Sequence, residues 1–148
     1  MCEIILESVT EANRADCERL RVANEQQSFI PDNRSSIELA RKYPDARALL
    51  ARAEDGTPIG FVLYGIDEAT GDWKIFRLMV DECFQRFGYG QRILREILER
   101  LRNEHQAQRV LVVYHESNRA AARLYEREGF VEYARSDGKV LTKIEWPE

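Results

Sequence analysis

The sequence predicts a single α/β domain, an α+β mixed sheet with helices on both faces, in the order β-α-α-β-β-β-α-β-α-β-β. Three observations predict it. Two apolar runs, Leu78-Met79-Val80 and the RVLVVY of Arg109–Tyr114, flank a helical pattern, as buried parallel strands joined by a right-handed crossover helix do. Asp55-Gly56 and Asp137-Gly138 each separate two strand-like runs, the usual signal of an antiparallel hairpin. The 148 residues contain no repeat, low-complexity tract or linker, and that length suffices for one domain with its own core.

Taken in order, Glu3–Val9 reads as the first strand. Thr10 is placed to cap a helix from about Glu11 to Asn24, with Asn13 where a capping box would carry Glu or Gln. Pro31 breaks the chain, and Ser35-Ser36 opens a short helix that ends near Tyr43-Pro44. Ala46–Ala53 and Ile59–Ile66 form a hairpin around Asp55-Gly56, and Gly71 turns the chain into a third strand, Trp73–Val80. After Gly90 a helix of about sixteen residues carries Ile93, Leu94, Ile97, Leu98 and Leu101 in one apolar stripe. Arg109–Tyr114 follows as a buried strand. Asn118 then caps a helix that runs to Glu128 and stops at Gly129. Phe130–Arg135 and Lys139–Trp146 close the chain as a hairpin.

Composition narrows the function classes. A hydrophobic fraction of 44% with 32% charged residues is an ordinary globular profile, and the net charge of −4 argues against non-specific nucleic-acid binding. The charge is uneven: six arginines and three glutamates lie between Gln85 and Arg109, so that segment is about +3 and the rest about −7. Such a segment suits an anionic ligand, and also suits a plain solvated helix face. Cys2, Cys17 and Cys83 form no CxxC pair, the usage expected of reduced thiols in the cytoplasm. His105 and His115 have no partners at ligand spacing, so no metal is expected. The N-terminus is too short and acidic for a signal peptide, and no apolar run has the length of a membrane span.

Two stretches carry chemistry. In Gln85-Arg86-Phe87-Gly88-Tyr89-Gly90 an apolar strand feeds a helix through two glycines and an arginine. The first amides of a helix have no internal partner, the dipole is positive there, and glycine lets a ligand approach bare backbone. No Gly-Lys-Ser/Thr follows and Ile93 stands where a third glycine would be, so this is neither a P-loop nor a dinucleotide fingerprint. An ordinary strand-to-helix turn is the alternative. The second stretch is Asn118…Ala121…Leu124-Tyr125…Gly129-Phe130. Ala121, Leu124 and Tyr125 share a helix face, on which small alanines permit close approach and Tyr125 is either a reactive hydroxyl or a core tyrosine.

Together these stretches resemble the two signatures of the GNAT superfamily of N-acetyltransferases, Q/R-x-x-G-x-G/A and the Asn…Leu-Tyr…Gly-Phe segment, and the element order matches over nearly the whole chain. The resemblance implies acetyl-CoA as cosubstrate. It implies that the amides of Phe87, Gly88, Tyr89, Gly90 and Gln91 bind the pyrophosphate with Arg86 adding charge. It further implies that Leu78, Met79 and Val80 pair with pantetheine and polarise the acetyl carbonyl, that Asn118 touches the cofactor from the other side, and that Tyr125 protonates the leaving thiolate. Many members carry a glutamate on the strand before the glycine loop. Here Ile75-Phe76-Arg77-Leu78 has none, which favours a water relay over a direct base, with Glu25, Asp72 and Glu116 as further options.

Val22–Ile30 and the turn after Tyr64-Gly65 look similar to bacterial spermine/spermidine acetyltransferases of the BltD type. That makes a polyamine the expected small-molecule partner, with Glu25, Tyr64 and Asp72 as substrate-binding candidates and Asp32, Asp67 and Glu68 adding negative potential. An acetyltransferase of a protein N-terminus, lysine or antibiotic amine, and a non-catalytic acetyl-CoA-binding module, are the other readings. A homodimer formed through the terminal hairpin is expected by analogy with relatives.

Overall fold

The computed structural model describes residues 3–20, 33–43, 45–85 and 87–146, the side chains of Arg34, Ser35 and Leu39 aside. Glu25, Asp32, Arg86 and Cys2 therefore lie outside the described residues. The chain runs β1 (Ile4–Ser8), α1 (Arg14–Glu18), α2 (Asn33–Ala40), β2 (Arg47–Ala53), β3 (Pro58–Ile66), β4 (Trp73–Val80), a 3-10 turn (Glu82–Phe84), α3 (Tyr89–Glu104), β5 (Arg109–His115), α4 (Arg119–Arg127), β6 (Val131–Ser136) and β7 (Lys139–Glu145). The expected order holds.

The seven strands form one sheet in the spatial order β1-β2-β3-β4-β5-β7-β6. Only β4 and β5 pair in parallel; α3 is their crossover, and every other pair is antiparallel. The last strand, β7, inserts between β5 and β6, a placement that local sequence does not specify. Buried on both faces from Ile59 to Gly65, β3 is the centre of the domain.

Each sheet face has its own core. On one, Ile93, Leu94, Ile97 and Leu101 of α3 are fully buried with Tyr125 of α4, Val62, Ile75, Val80, Val110 and Val112. At about 1.5–3 kcal/mol per buried aliphatic side chain, the α3 stripe anchors this layer. On the other face, Cys17 and Leu20 pack with Ile37 of α2 against Leu50, Phe61, Leu63 and Met79. Burial, and then the neighbouring Glu18, push the Cys17 thiol up to about 12, so it acts as a small apolar side chain.

Three local details differ from expectation. The first helix, expected from about Glu11 to Asn24, spans Arg14–Glu18 and is capped at Arg19; residues 21–24 lie outside the described residues. Asn13 is the residue preceding α1, and its Oδ1 accepts the Thr10 N–H at 2.7 Å, the reaching-back half of a capping box. The second helix starts at Asn33, two residues early. Buried Asn33 donates from Nδ2 to the Cys17 carbonyl at 2.8 Å, joining α2 to the end of α1 above Met79.

Contact between β3 and β4 is close enough to require glycine. A Cβ on Gly60 would stand 2.6 Å from the Met79 carbonyl oxygen and 3.0 Å from Ile93 Cδ1. Gly60→Ala is expected to cost about 1–3 kcal/mol through overpacking, read as a lower urea midpoint with an unchanged slope.

Candidate active site

The site originates in a pairing that stops early. Trp73, Lys74 and Ile75 of β4 face Val110, Leu111 and Val112 of β5, and there the parallel ladder ends. On its other edge β4 stays paired with β3 as far as Val80, but with one residue too many: Leu63 faces Arg77 while Tyr64 faces Ile75, leaving Phe76 as a bulge. A bulge bends its strand and adds twist, which turns β4 away from β5. The other strand cannot follow, because β7 pairs with β5 from Arg109 to His115 and buried Thr142 donates its hydroxyl to the Val112 carbonyl at 2.9 Å. The sheet forks. The resulting cleft, of about 80 Å³, is lined by Ile75–Leu78, Val112–His115 and, from α4, Asn118, Ala121 and Tyr125. From Phe76 to Val80 the edge of β4 has no β5 partner.

At the end of β4 the backbone makes an anion-ready turn. Gln85 Nε2 donates to the Val80 carbonyl at 2.9 Å, and the Asp81 carboxylate accepts the Cys83 N–H at 3.1 Å, which fixes the loop. Gly88 is the N-cap of α3 in the left-handed region, φ 86°, with no side chain capping the helix and no acidic residue in the first turn. Tyr89, Gly90 and Gln91 form that turn, beside exposed Phe87. The positive end of a sixteen-residue helix is thus offered without an internal counter-charge from its own first turn.

The far wall is α4. Asn118 is buried, caps the helix by accepting the Ala121 N–H at 3.2 Å, and ties its own N–H to the His115 carbonyl at 2.8 Å. Cap and cleft wall are the same residue, so α4 is registered to the end of β5. One turn on, Tyr125 is 6% exposed, stacked on Tyr114 at 5.8 Å with Phe130 edge-on at 5.5 Å. Burial first, and then proximity to Tyr114, raise its phenol well above the ordinary tyrosine value. That phenol holds its proton as a donor.

The structure brings Leu78, Asn118, Ala121 and Tyr125 to the cleft. Met79 and Val80 contribute their strand but bury their side chains on opposite faces. Three residues named from sequence do not join them. Tyr64 is 3% exposed in the α3-side core, with its ring 6.2 Å from Trp73, because β3 is buried at that point. Asp72 precedes β4 at the closed end of the fork and pairs with Arg109 at 3.5 Å. Glu116 pairs with Arg135 at 3.6 Å, outside the lining.

The residue that sequence reasoning missed is Arg77, the one arginine among the described residues of the lining, none of which is a carboxylate. Its Nη1 donates to the Phe76 carbonyl at 2.5 Å, while Nε is buried with no partner. Burial pulls its pKa below the usual arginine value. The signal was a charge inside an otherwise apolar strand end, Ile75-Phe76-Arg77-Leu78. A larger hollow, of about 270 Å³, lies between β1, β2 and α2. Its Arg14 and Arg41 are already paired with Glu18, Glu38 and Glu11, so it offers no comparable chemistry. Among the described residues no group of three His, Cys, Asp or Glu gathers to hold a metal, and no helix is long and apolar enough to cross a membrane.

Residues 7–130 match the model of the Acetyltransferase (GNAT) family. The chain is 29% identical over 133 residues to the spermine/spermidine N(1)-acetyltransferase of Bacillus subtilis strain 168, covering 86% of this chain and 87% of that protein. Among solved structures, an acetyltransferase from Thermus thermophilus superimposes with a TM-score of 0.82 at 17% identity, covering 99% of this chain and 100% of that one. A spermidine N-acetyltransferase from Vibrio cholerae, in complex with CoA and spermine, gives 0.74 at 15% identity over 95% and 92%. At such identities the structural likeness concerns the fold.

The two loop glycines differ in what they require. Gly88→Ala places a Cβ in the left-handed region and is expected to cost about 1–2 kcal/mol. Gly90→Ala, whose Cβ would meet Leu124 and Val80 only at 3.7 Å, should stay within about 0.5 kcal/mol of the parent. Urea unfolding of the two variants checks the contrast.

Proposed function

Because this chain belongs to the acetyltransferase (GNAT) family, we propose that it transfers the acetyl group of acetyl-CoA directly to the primary amine of a small molecule, in the first instance a polyamine such as spermidine or spermine. The family are acetyl-CoA-dependent enzymes. The observation that carries the reading is the fork between β4 and β5, with a buried tyrosine in one wall and an uncapped helix mouth at the end of one arm.

The residues present fit the cosubstrate. The amides of Phe87, Gly88, Tyr89, Gly90 and Gln91 suit a pyrophosphate, with the Arg86 charge added. The unpaired edge of Leu78, Met79 and Val80 suits the amides of pantetheine, and a β4 N–H donates to the acetyl carbonyl where charge develops. Asn118 and Ala121 close the other side. Tyr125 gives its proton to the departing sulfur, whose ordinary thiol pKa is about 8.5. The acceptor nitrogen must be neutral to attack, yet an amine of pKa ~10.4 is only about 0.1% neutral at physiological pH. Water carries that proton away, since no carboxylate among the described residues lines the cleft.

The polyamine is supported by the name of the Bacillus relative and by the net charge of −4. Glu25 is the carboxylate this reading keeps for a distal ammonium. The reading includes a cytoplasmic homodimer, with the exposed edge strand β6, bearing Val131 and Tyr133, as the contact.

A thiol-release assay over an amine panel tests the proposal: spermidine and spermine should react. Inert polyamines beside a reactive N-terminal peptide would sink the polyamine. Tyr125→Phe should lower kcat roughly 100-fold with acetyl-CoA affinity retained, as measured by calorimetry. The raised phenol pKa also sets a sign. Tyr125 stays protonated through the alkaline range, so with subsaturating amine the rate should rise about tenfold per pH unit from pH 7 to 9, following the neutral amine.

A further inference from the structure

We infer that Arg77 is a catalytic residue of the transfer, its guanidinium donating to the thioester carbonyl oxygen as negative charge builds there. This rests on the acetyl-transfer reading and adds to it a group that the family's backbone donors do not include. The guanidinium lies in the lining of the fork, one residue past the bulge, where β4 leaves β5. Its cross-strand partner Leu63 belongs to the α1/α2-side core, whereas Tyr125 belongs to the α3/α4-side core. The two side chains therefore flank the fork from opposite faces, proton donor on one and cation on the other.

No carboxylate among the described residues pairs with Arg77; its one hydrogen bond is to its neighbour's carbonyl, and Nε is a buried donor with no acceptor. Half-burying a cation with no carboxylate partner among the described residues is costly, and a methionine or leucine there would extend the apolar strand without that penalty. The arrangement makes sense when the missing anion arrives with the reaction. A polyamine brings none. The transfer itself does: the neutral amine nitrogen bonds to the carbonyl carbon, the C=O π pair moves onto oxygen, and that oxygen becomes the anion the guanidinium meets. Collapse re-forms C=O and breaks C–S, sulfur takes the Tyr125 proton, the nitrogen loses its extra proton to water, and water reprotonates the phenol. Arg77 stays protonated throughout, and its field also disfavours the ammonium form of a nearby acceptor.

The test is Arg77→Met in the full-length protein, with Arg77→Lys beside it. Thiol release is measured with spermidine and with the matched pair cadaverine and lysine, which differ by one carboxylate. We expect the Met variant to melt at or above the parent temperature, to bind acetyl-CoA within twofold, and to lose about 100-fold in kcat at little-changed KM on every amine used. The Lys variant should keep part of the rate. A Met variant within threefold of the parent kcat overturns the inference. So does a loss confined to lysine, which would make Arg77 a holder of the acceptor's carboxylate. If the Met variant does not fold, the Lys variant decides on the same split of kcat against KM, parental values on both overturning the inference. A parent inert to every amine overturns the transfer reading, and this inference with it.

Discussion

A three-residue parallel ladder between β4 and β5 sets what the rest of the domain can do. Each strand is held on its outer edge, β4 by β3 and β5 by β7, so neither can relax toward the other beyond Ile75 and Val112. The bulge at Phe76 makes the divergence a property of the backbone rather than of a side chain. Everything at the site depends on it: the unpaired edge, the space beside it, and the inward position of Tyr125. Packing keeps the fork open, with α3 anchored across β3 and β4 by its apolar stripe and α4 registered by the Asn118 cap.

Much of the fold was legible because local patterns and tertiary roles agreed. The α3 stripe, the Asp-Gly hairpins and the Asn118 cap each specify their element without reference to distant residues. The insertion of β7 between β5 and β6 was not legible, since strand order is decided by pairing between segments far apart in the chain. The bulge was hidden for a related reason: Phe76 looks like any strand residue until its partner Leu63 is found opposite Arg77.

The same contrast divides the site. Gly88 and Tyr125 could be picked out because a left-handed cap and an aromatic on a small-residue helix face leave marks in one short window. Tyr64 and Asp72 were drawn in by closeness in sequence to a turn, yet that turn is at the closed end of the fork, where Asp72 meets Arg109. Arg77 was visible as a charge but without a function, because the burial of its Nε without an acceptor is a three-dimensional fact.

Sheet edges are ordinarily a hazard, since a row of unsatisfied backbone groups invites a second polypeptide to add a strand and seed aggregation. Proteins usually blunt such edges with charge or keep them short. Here an edge is opened in the middle of the sheet and walled by α4, so its unpaired backbone is covered by a helix rather than offered to neighbouring proteins. One early ending of a ladder thus yields an open edge that is internal to the domain.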